Sequence, residues 1–276
     1  MNRILISILF FTVFSVGLTA QNVGKMEGDT LTNYIDINNK KQGKWIKRYD
    51  NGQIRYKGAF INDIPVGVFY YYFPNGKTKS VLNYDDQGNA NAEIYWENGN
   101  IYAKGFYNIK QERNNEWHIF YEDGTPAVIL NYDNGEINGF MVMYYPGGKS
   151  KLMETNYKNG KLEGDYKRYF EGNKVLEEGP CVNGVRHGYW KFYNLGGVVE
   201  EEGMYVNGKR EGDWIIYNKD TNKKETVGYK NDFPDNYQEM MEELREKQEW
   251  AKQNQDKFKH PEDYIDDPIE FFMDRK

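Results

Sequence analysis

The sequence is poor in the residues that most often carry enzyme chemistry. Its 276 residues include one cysteine and three histidines. A single cysteine, Cys181, excludes an intrachain disulfide, so packing and hydrogen bonds must stabilise the fold. After residue 20 the only serines are Ser80 and Ser150. Neither has a histidine close to it in the chain, which argues against a serine hydrolase.

Long apolar runs are also missing, apart from one at the start. Residues 1–20 read MNRILISILFFTVFSVGLTA, with one basic residue, an apolar stretch from Ile4 to Phe14 and small residues at the end. This pattern predicts a secretory signal peptide cleaved after Ala20, and an uncleaved membrane anchor is the alternative. No later segment is apolar enough to span a membrane. We therefore expect export to the periplasm, the cell surface or the medium.

An excess of positive charge is absent as well. The net charge is −6, which argues against nucleic acid or anionic lipid as the main partner. Acidic side chains concentrate in residues 236–276, which hold twelve acidic and seven basic residues.

Aromatic residues and glycine are abundant instead. The 24 Tyr, 15 Phe, 6 Trp and 28 Gly predict many short strands joined by tight turns. A glycine placed two residues before a large side chain recurs at intervals of 24 or 25 residues, with one gap of 72; these anchor glycines are Gly43, Gly67, Gly139, Gly164, Gly188 and Gly212. Two degenerate copies fit the gap, at Ala90 and Asn115. The sequence therefore predicts eight repeats of about 24 residues.

Two columns of mostly aromatic residues follow the anchors. The second residue after each anchor is Trp45, Phe69, Ala92, Trp117, Met141, Tyr166, Trp190 or Trp214. The fifth is Arg48, Tyr72, Tyr95, Phe120, Tyr144, Tyr169, Tyr193 or Tyr217. The two columns lie on opposite faces of a regular strand, unless a bulge separates them. They suit a packed ladder, and also an interaction face formed by Trp45, Tyr72, Trp117, Tyr144, Tyr169, Trp190, Tyr193, Trp214 and Tyr217.

Each repeat also carries two turn signals. The first set includes Asn51-Gly52 and Asn75-Gly76, and the second includes Asn159-Gly160 and Asn183-Gly184. Asn-Gly favours the type I′ turn of a two-residue hairpin. The repeat is therefore predicted to be a β-hairpin, and the array an elongated antiparallel single sheet.

These motifs resemble a known family. The segments YKNGKLEGDYKRYF, VNGVRHGYWKFY and YVNGKREGDWIIY are similar to the MORN repeat, and most similar to its bacterial variant, whose members are often labelled antitoxin-like. The resemblance covers roughly residues 34–232, although NANAEIYW and NNEWHIFY lack the anchor glycine. It implies a sheet that contacts proteins or membranes, and it implies no catalytic residues.

Candidate catalytic and metal-binding residues are few and far apart. His118 and His187 lie three repeats apart, roughly 30 Å at the usual strand spacing, so they should not share a metal ion. Cys181 falls in a column otherwise held by Phe60 and tyrosines, which indicates a packed position. We therefore predict no catalytic residue, no metal and no cofactor.

The C-terminal region has a different composition. From Asn236 onward glycine is absent, and apolar residues such as Met240 and Leu244 follow helical spacing. Asn236 is the predicted N-cap and Pro261 the predicted stop. The domain prediction is a signal peptide (1–20), an N-terminal strand or cap (21–42), a MORN-like array (43–233) and an acidic helical tail or cap (234–276).

Three functions fit these observations. The first is an exported, non-enzymatic scaffold that binds an unidentified protein or envelope component, with peripheral membrane contact left open. The second is an aromatic-cage module for cell-wall glycan or choline-like groups. The third is an antitoxin-like neutraliser of a partner protein, which a signal peptide argues against because such a protein acts inside the cell.

Overall fold

The computed structural model describes residues 24–27, 30–218 and 223–254, and all regular elements before residue 237 in these ranges are β-strands. The predicted signal peptide lies outside the described residues. The strands form two compact units. The first unit ends at Leu152 and also includes Tyr157–Gly160; the second comprises Met153–Asn156 and the chain from Lys161 onward. The prediction of an all-β fold built from hairpins is confirmed.

In the first unit, each strand from β3 onward pairs antiparallel with the next strand along the chain. The two strands that precede β3, β1 and β2, pair antiparallel with each other, and β2 also pairs in parallel with β4 through Thr32 and Lys44. The bounds are β1 Lys25–Glu27, β2 Thr30–Thr32, β3 Tyr34–Ile35, β4 Lys41–Arg48, β5 Ile54–Ile61, β6 Ile64–Tyr72, β7 Thr78–Tyr84, β8 Ala90–Tyr95, β9 Ile101–Tyr107, β10 Arg113–Phe120, β11 Pro126–Asp133 and β12 Glu136–Tyr144.

The second unit continues the same pattern. β16 and β17 are two parts of one strand, interrupted at His187, and both pair with β15. The bounds are β14 Lys161–Tyr169, β15 Val175–Val182, β16 Val185–Arg186, β17 Gly188–Tyr193, β18 Val199–Val206, β19 Lys209–Asn218, β20 Lys223–Lys230 and β21 Phe233–Pro234, while β13 (Lys151–Lys158) has residues in both units.

Four of the six anchor glycines lie at β-bulges, namely Gly67, Gly139, Gly188 and Gly212. All six have positive φ angles, a conformation that L side chains rarely adopt. Between β5 and β6 the register passes from Lys57–Tyr70 to Ala59–Val66, so β6 has two extra residues around Gly67. Equivalent register breaks lie between β9 and β10, β11 and β12, β15 and β17, and β18 and β19.

The two degenerate anchors behave differently. Asn115 keeps a positive φ of 59°, which asparagine tolerates better than most residues, and its strand keeps the bulge. Ala90 does not have a positive φ, and β7 and β8 pair in continuous register from Ser80–Ile94 to Tyr84–Ala90. The β7–β8 pairing of the third repeat is therefore a regular antiparallel ladder, because alanine, unlike glycine or asparagine, does not adopt the positive φ here.

The predicted type I′ turn is present in the second set of turn signals but not throughout the first. Both residues of Asn159-Gly160 and of Asn183-Gly184 have positive φ, as a type I′ turn requires. At Asn51-Gly52 and Asn75-Gly76 of the first set the prediction was wrong, because only the glycine has positive φ, whereas at Gly147-Gly148 both residues have positive φ. At Asn51-Gly52 the Gly52 N–H donates to the Tyr49 carbonyl at 2.9 Å, and the Asn51 Oδ1 accepts from the Gln53 N–H at 3.0 Å. The asparagine side chain closes this turn.

The C-terminal helix α1 spans Tyr237–Gln253, close to the predicted start. Asn236 occupies the N-cap position but makes no side-chain cap hydrogen bond, so the predicted capping interaction is absent. None of the residues of α1 is buried. That the tail caps the array therefore stays a prediction, and Pro261 lies outside the described residues. Among the described residues, no helix has the length and apolarity needed to cross a membrane.

Candidate interaction surface

Each repeat has two faces with different surroundings. The packed face carries the second residue after each anchor, and Trp117, Trp190 and Trp214 there are 0–1% exposed. The open face carries the first, third and fifth residues. The Tyr193 hydroxyl, from the fifth column, donates to Glu178 on the open face at 2.6 Å. The two predicted columns thus lie on opposite faces, and both carry aromatic residues.

On the packed face, buried rings lie over glycines. A Cβ placed on Gly179 would lie 2.5 Å from the Trp190 ring, a distance that real Cβ atoms do not show. Only glycine allows such close packing of ring against backbone. The same arrangement joins the pairs Phe69 and Gly58, Trp117 and Gly105, and Trp214 and Gly203.

The bulge also provides a hydrogen-bond acceptor for the buried indoles. The Trp190 Nε1 donates to the Pro180 carbonyl at 2.9 Å, one residue after the glycine that the ring covers. Trp117 and Trp214 make the equivalent bonds at 3.1 Å, to the carbonyls of Phe106 and Met204. A buried indole N–H would destabilise the fold without such an acceptor, so the bulge and the tryptophan support each other.

The protein's own cations cover these tryptophans. The Arg186 guanidinium lies 4.5 Å from the Trp190 ring centroid, a cation–π distance. All four tryptophans of the column have a basic residue four positions earlier, the other pairs being Lys41 with Trp45, Arg113 with Trp117, and Arg210 with Trp214. The repeats without a tryptophan carry Pro65, Gly88, Ile137 and Leu162 there. An aromatic cage for a choline-like ligand would have to displace these side chains.

In the second unit, carboxylates pair with the arginines that lie over the tryptophans. Arg186 donates to the buried Glu177 at 2.6 Å, and Arg210 donates to Glu201 at the same distance. Tyr205 packs edge-on against both Trp190 and Trp214, with centroids 6.0 and 5.1 Å away. The packed face is therefore filled by the chain itself.

The residues proposed as an interaction face divide between the two faces. Trp117, Trp190 and Trp214 are buried, while Trp45 is half-buried against Phe60. On the open face Tyr169 is buried and donates to Glu154. The remaining tyrosines, all half-buried, are Tyr72, Tyr144, Tyr193 and Tyr217. As an interaction face the set stays a prediction, and the three buried indoles expose almost no surface to a partner.

A tyrosine–glutamate–lysine contact recurs on the open face. Glu178 accepts from the Tyr193 hydroxyl at 2.6 Å and pairs with Lys167 at 3.0 Å. These contacts, the tyrosine bond first, hold the pKa of Glu178 below its ordinary value. Burial and the bond to Glu178 raise the pKa of Tyr193 to about 12. Glu93 makes the same contacts in the third repeat, with Tyr95 at 2.6 Å and Lys104 at 3.1 Å.

The open face of the second repeat carries an exposed apolar patch, of which the predicted set included only Tyr72. Val68 is 43% exposed and Tyr70 is 38% exposed. The Lys57 ammonium lies 5.0 Å from the Tyr70 ring centroid and 5.8 Å from that of Tyr72. Val68 and Tyr70 are the first and third residues after the anchor Gly67, whereas the predicted set was drawn from the second and fifth residues. We call Lys57, Val68, Tyr70 and Tyr72 the Tyr70 patch.

The histidines and the cysteine have separate, local partners. His118 pairs with Glu116 at 2.6 Å in the first unit, and His187 lies in the second. The described residues contain no group of three histidine, cysteine or carboxylate side chains placed to hold a metal. Cys181 is buried in the cluster of Trp190, and burial raises the pKa of its thiol. This is the packed position that its column predicted.

Comparison with solved structures returns matches of low similarity. They include a S. aureus TarM variant in complex with fondaparinux (14% identity, 42% of this chain and 20% of that one, TM-score 0.19) and a GtfA/B complex (11%, 42%, 22% and 0.19). A porin-like protein from Bacteroides uniformis matches at 7% identity over 66% of this chain and 85% of that one, with a TM-score of 0.20. The chain spans about a fifth of the first two. TM-scores of this size establish no shared fold, and no curated protein matches.

The family comparison is more informative. Four segments match the model described as the MORN repeat variant, namely residues 41–62, 65–86, 89–108 and 186–207. The matches begin one or two residues before the anchors at positions 43, 67, 90 and 188, so they have the same period and phase as the predicted repeats. Together with the hairpin array, these matches, which cover less than half of the chain, show that it contains MORN-type repeats.

Proposed function

We propose that this protein is an exported, non-enzymatic scaffold that binds a protein partner on the open face of its hairpins. MORN repeats suggest a scaffold for protein or membrane interactions. The choice of the open face rests on the difference in accessibility between the aromatic residues of the two faces. The tryptophans of the packed face are covered by the chain's own basic side chains, while the Tyr70 patch on the open face remains accessible.

The composition of the Tyr70 patch supports recognition of a protein. It combines a tyrosine ring, an aliphatic side chain and an ammonium group within one pair of strands. Tyrosine is enriched at interface positions that contribute most to binding, because its ring buries a large area with little loss of conformational entropy. The neighbouring Lys57 adds a charge that an acidic group of the partner can approach.

Affinity capture with matched variants tests the choice of face. Tagged full-length protein would be used to capture partners from envelope extracts, with Tyr70→Ala compared against Tyr189→Ala. Tyr189 lies in the first column of the seventh repeat, on the same face, and is 45% exposed. We expect Tyr70→Ala to reduce recovery of a specific protein at least tenfold while Tyr189→Ala leaves it unchanged. A partner that is retained by Tyr70→Ala would place recognition elsewhere.

A third variant addresses the helix. Leu244 is 47% exposed in the apolar stripe of α1. Leu244→Glu should leave capture unchanged if the open face binds the partner. Loss of the partner with this variant alone would make α1 the recognition element and the hairpins its support.

Export needs a separate experiment. Cells that express the full chain would be fractionated and the mass of the intact protein measured. We expect an envelope or medium form that begins at residue 21. A protein found only in the cytoplasm with residues 1–20 intact would contradict export and favour the antitoxin-like alternative.

A further inference from the structure

A shallow cavity of about 470 Å³ lies on the open face of the first unit, over strands β7 to β10. Two rows of side chains cross these strands. One row contains Asn83, Asn91 and Phe106, whose backbones are direct cross-strand neighbours. The other contains Glu93, Lys104 and His118, paired in the same way. At the usual spacing of strands and residues, each row is about 10 Å long and the rows are about 7 Å apart.

The departure of the third repeat from the common pattern produces this alignment. Because Ala90 does not open a bulge, the ladder from β7 through β8 to β9 keeps its register at Asn83–Asn91 and Asn91–Phe106. The bulge returns at Asn115, where the β9–β10 pairing jumps from Asn114 to His118. Between the rows, the backbones of Ala92 and Gly105 form the floor of the cavity, because the side-chain positions of both residues belong to the packed face.

The two carboxylates of the cavity each have a partner within it or beside it. Glu93 accepts from the Tyr95 hydroxyl and pairs with Lys104, as described above. Glu116 pairs with His118 at 2.6 Å. Each carboxylate therefore has its own cationic or polar partner, and a charged ligand would have to break an existing pair. Fixed carboxylate oxygens and the two asparagine amides suit a neutral ligand with many hydroxyl groups, which can both donate and accept hydrogen bonds.

Phe106 adds an apolar surface on which such a ligand can pack. It is half-buried and lines the cavity together with Val81, so part of the wall is apolar. The C–H face of a pyranose ring can pack on an aromatic side chain while its hydroxyls meet polar groups at the rim. From this combination we propose that the cavity is a binding subsite for a neutral saccharide of one or two pyranose units. The proposal is independent of the partner-binding function above.

The second unit provides a natural control. A cavity of about 340 Å³ there uses the same columns of the repeat. Where the first cavity has Asn91 and Phe106, the second has Asp165 and Pro180, so it lacks the amide, and its aromatic residue, Tyr189, stands where the first cavity has Glu116. The same fold thus offers two cavities of different chemistry, and we expect only the first to bind neutral sugar.

Isothermal titration calorimetry of the purified full chain with cellobiose, maltose and chitobiose tests the proposal. We expect saturable binding of at least one of the three. Asn91→Asp removes an amide donor at constant shape, and Phe106→Ala removes the ring; each should weaken binding at least tenfold. Asp165→Asn, in the second cavity, should leave the affinity unchanged. Circular dichroism and Tm identify any variant that fails to fold, and the nearly isosteric Asn91→Asp keeps the test valid if Phe106→Ala does not.

Several results would overturn the proposal. They are no saturable binding of any of the three disaccharides, full affinity in Asn91→Asp, or an equal loss in Asp165→Asn. Tighter binding of cellobiouronic acid than of cellobiose would also contradict it, because the cavity would then favour an anion. Competition by an uncharged peptide at lower concentration than any sugar would assign the cavity to a protein segment instead.

Discussion

The third and seventh repeats differ in the φ angle at the anchor position, and the side chains packed around the anchor differ with it. Their strands β8 and β17 are both six residues long. In the seventh repeat Gly188 has a φ of +90° and opens a bulge. Trp190 then lies over Gly179, donates its N–H to the Pro180 carbonyl and is covered by Arg186.

The third repeat differs at each equivalent position. Ala90 replaces the anchor glycine, and no bulge forms. The ring is replaced by Ala92, and its neighbour on the preceding strand is Leu82 instead of glycine. Gly88 stands where the cation would be. The buried rings Phe69 and Trp190 share the bulge and the glycine, and Trp190 has the cation in addition. In the third repeat, which has no bulge and no ring, the glycine and the cation are absent as well.

The largest expected effect comes from removing the ring. Trp190→Ala should lower the free energy of unfolding by about 3–5 kcal/mol, because it leaves a cavity in the packed face. Trp250→Ala is the matched control, since Trp250 is 59% exposed on α1; it should change stability by less than about 0.5 kcal/mol. Urea denaturation measures both. A small effect of Trp190→Ala would show that the seventh repeat does not depend on its tryptophan.

Next comes the glycine below the ring. Gly179→Ala would place a Cβ 2.5 Å from Trp190, and overpacking of this kind costs about 1–3 kcal/mol. In a Trp190→Ala background the same substitution should cost much less, because the ring is gone. Additive effects in this double-mutant cycle would contradict the proposed dependence of ring on glycine.

A smaller effect is expected at an anchor without steric contacts. Gly164 has a φ of +90°, and nothing lies within 4 Å of an added Cβ. Gly164→Ala should therefore cost about 1–2 kcal/mol through backbone strain alone. Gly164→Asn should cost less, since Asn115 already holds a positive φ in the fourth repeat. Equal losses for alanine and asparagine would show that φ is not the cause.

The smallest effect concerns a feature that the third and seventh repeats share. The folded-state pKa of Glu178 is lowered, so its ionised form stabilises the fold above a pH of about 4.5, and this contribution is lost as pH falls through the folded pKa. Glu178→Gln should cost less than about 1 kcal/mol at pH 7, because the pair is partly exposed. Unfolding measured from pH 3 to pH 7 should show a flatter profile for this variant.

Glu93→Gln should behave alike, since Glu93 has the same tyrosine and lysine partners in the third repeat. If only one of the two variants changed the pH profile, the open-face contact would depend on the bulge after all.

Much of this architecture was predictable because it is local. A two-residue Asn-Gly turn and a positive-φ glycine depend on a few neighbouring residues, so their recurrence gives the period and the hairpins directly. The Asn-Gly turns of the first set were assigned wrongly because the same Asn-Gly pair fits two turn types, and the longer loop around Asn51 selected the other one. The helix start at Tyr237 followed from composition and spacing, whereas its exposure did not.

The sequence by itself determined the repeat, its anchors and the aromatic columns, because each is a matter of spacing along one strand. Only the tertiary structure decided which surface each column faces and what covers it. Arg186 and Trp190 are four residues apart in the chain, and the bulge between them allows the guanidinium of Arg186 to lie over the Trp190 ring. The cavity lined by Asn83, Asn91 and Phe106 depends on register across three strands, which pairing fixes and which no single strand contains.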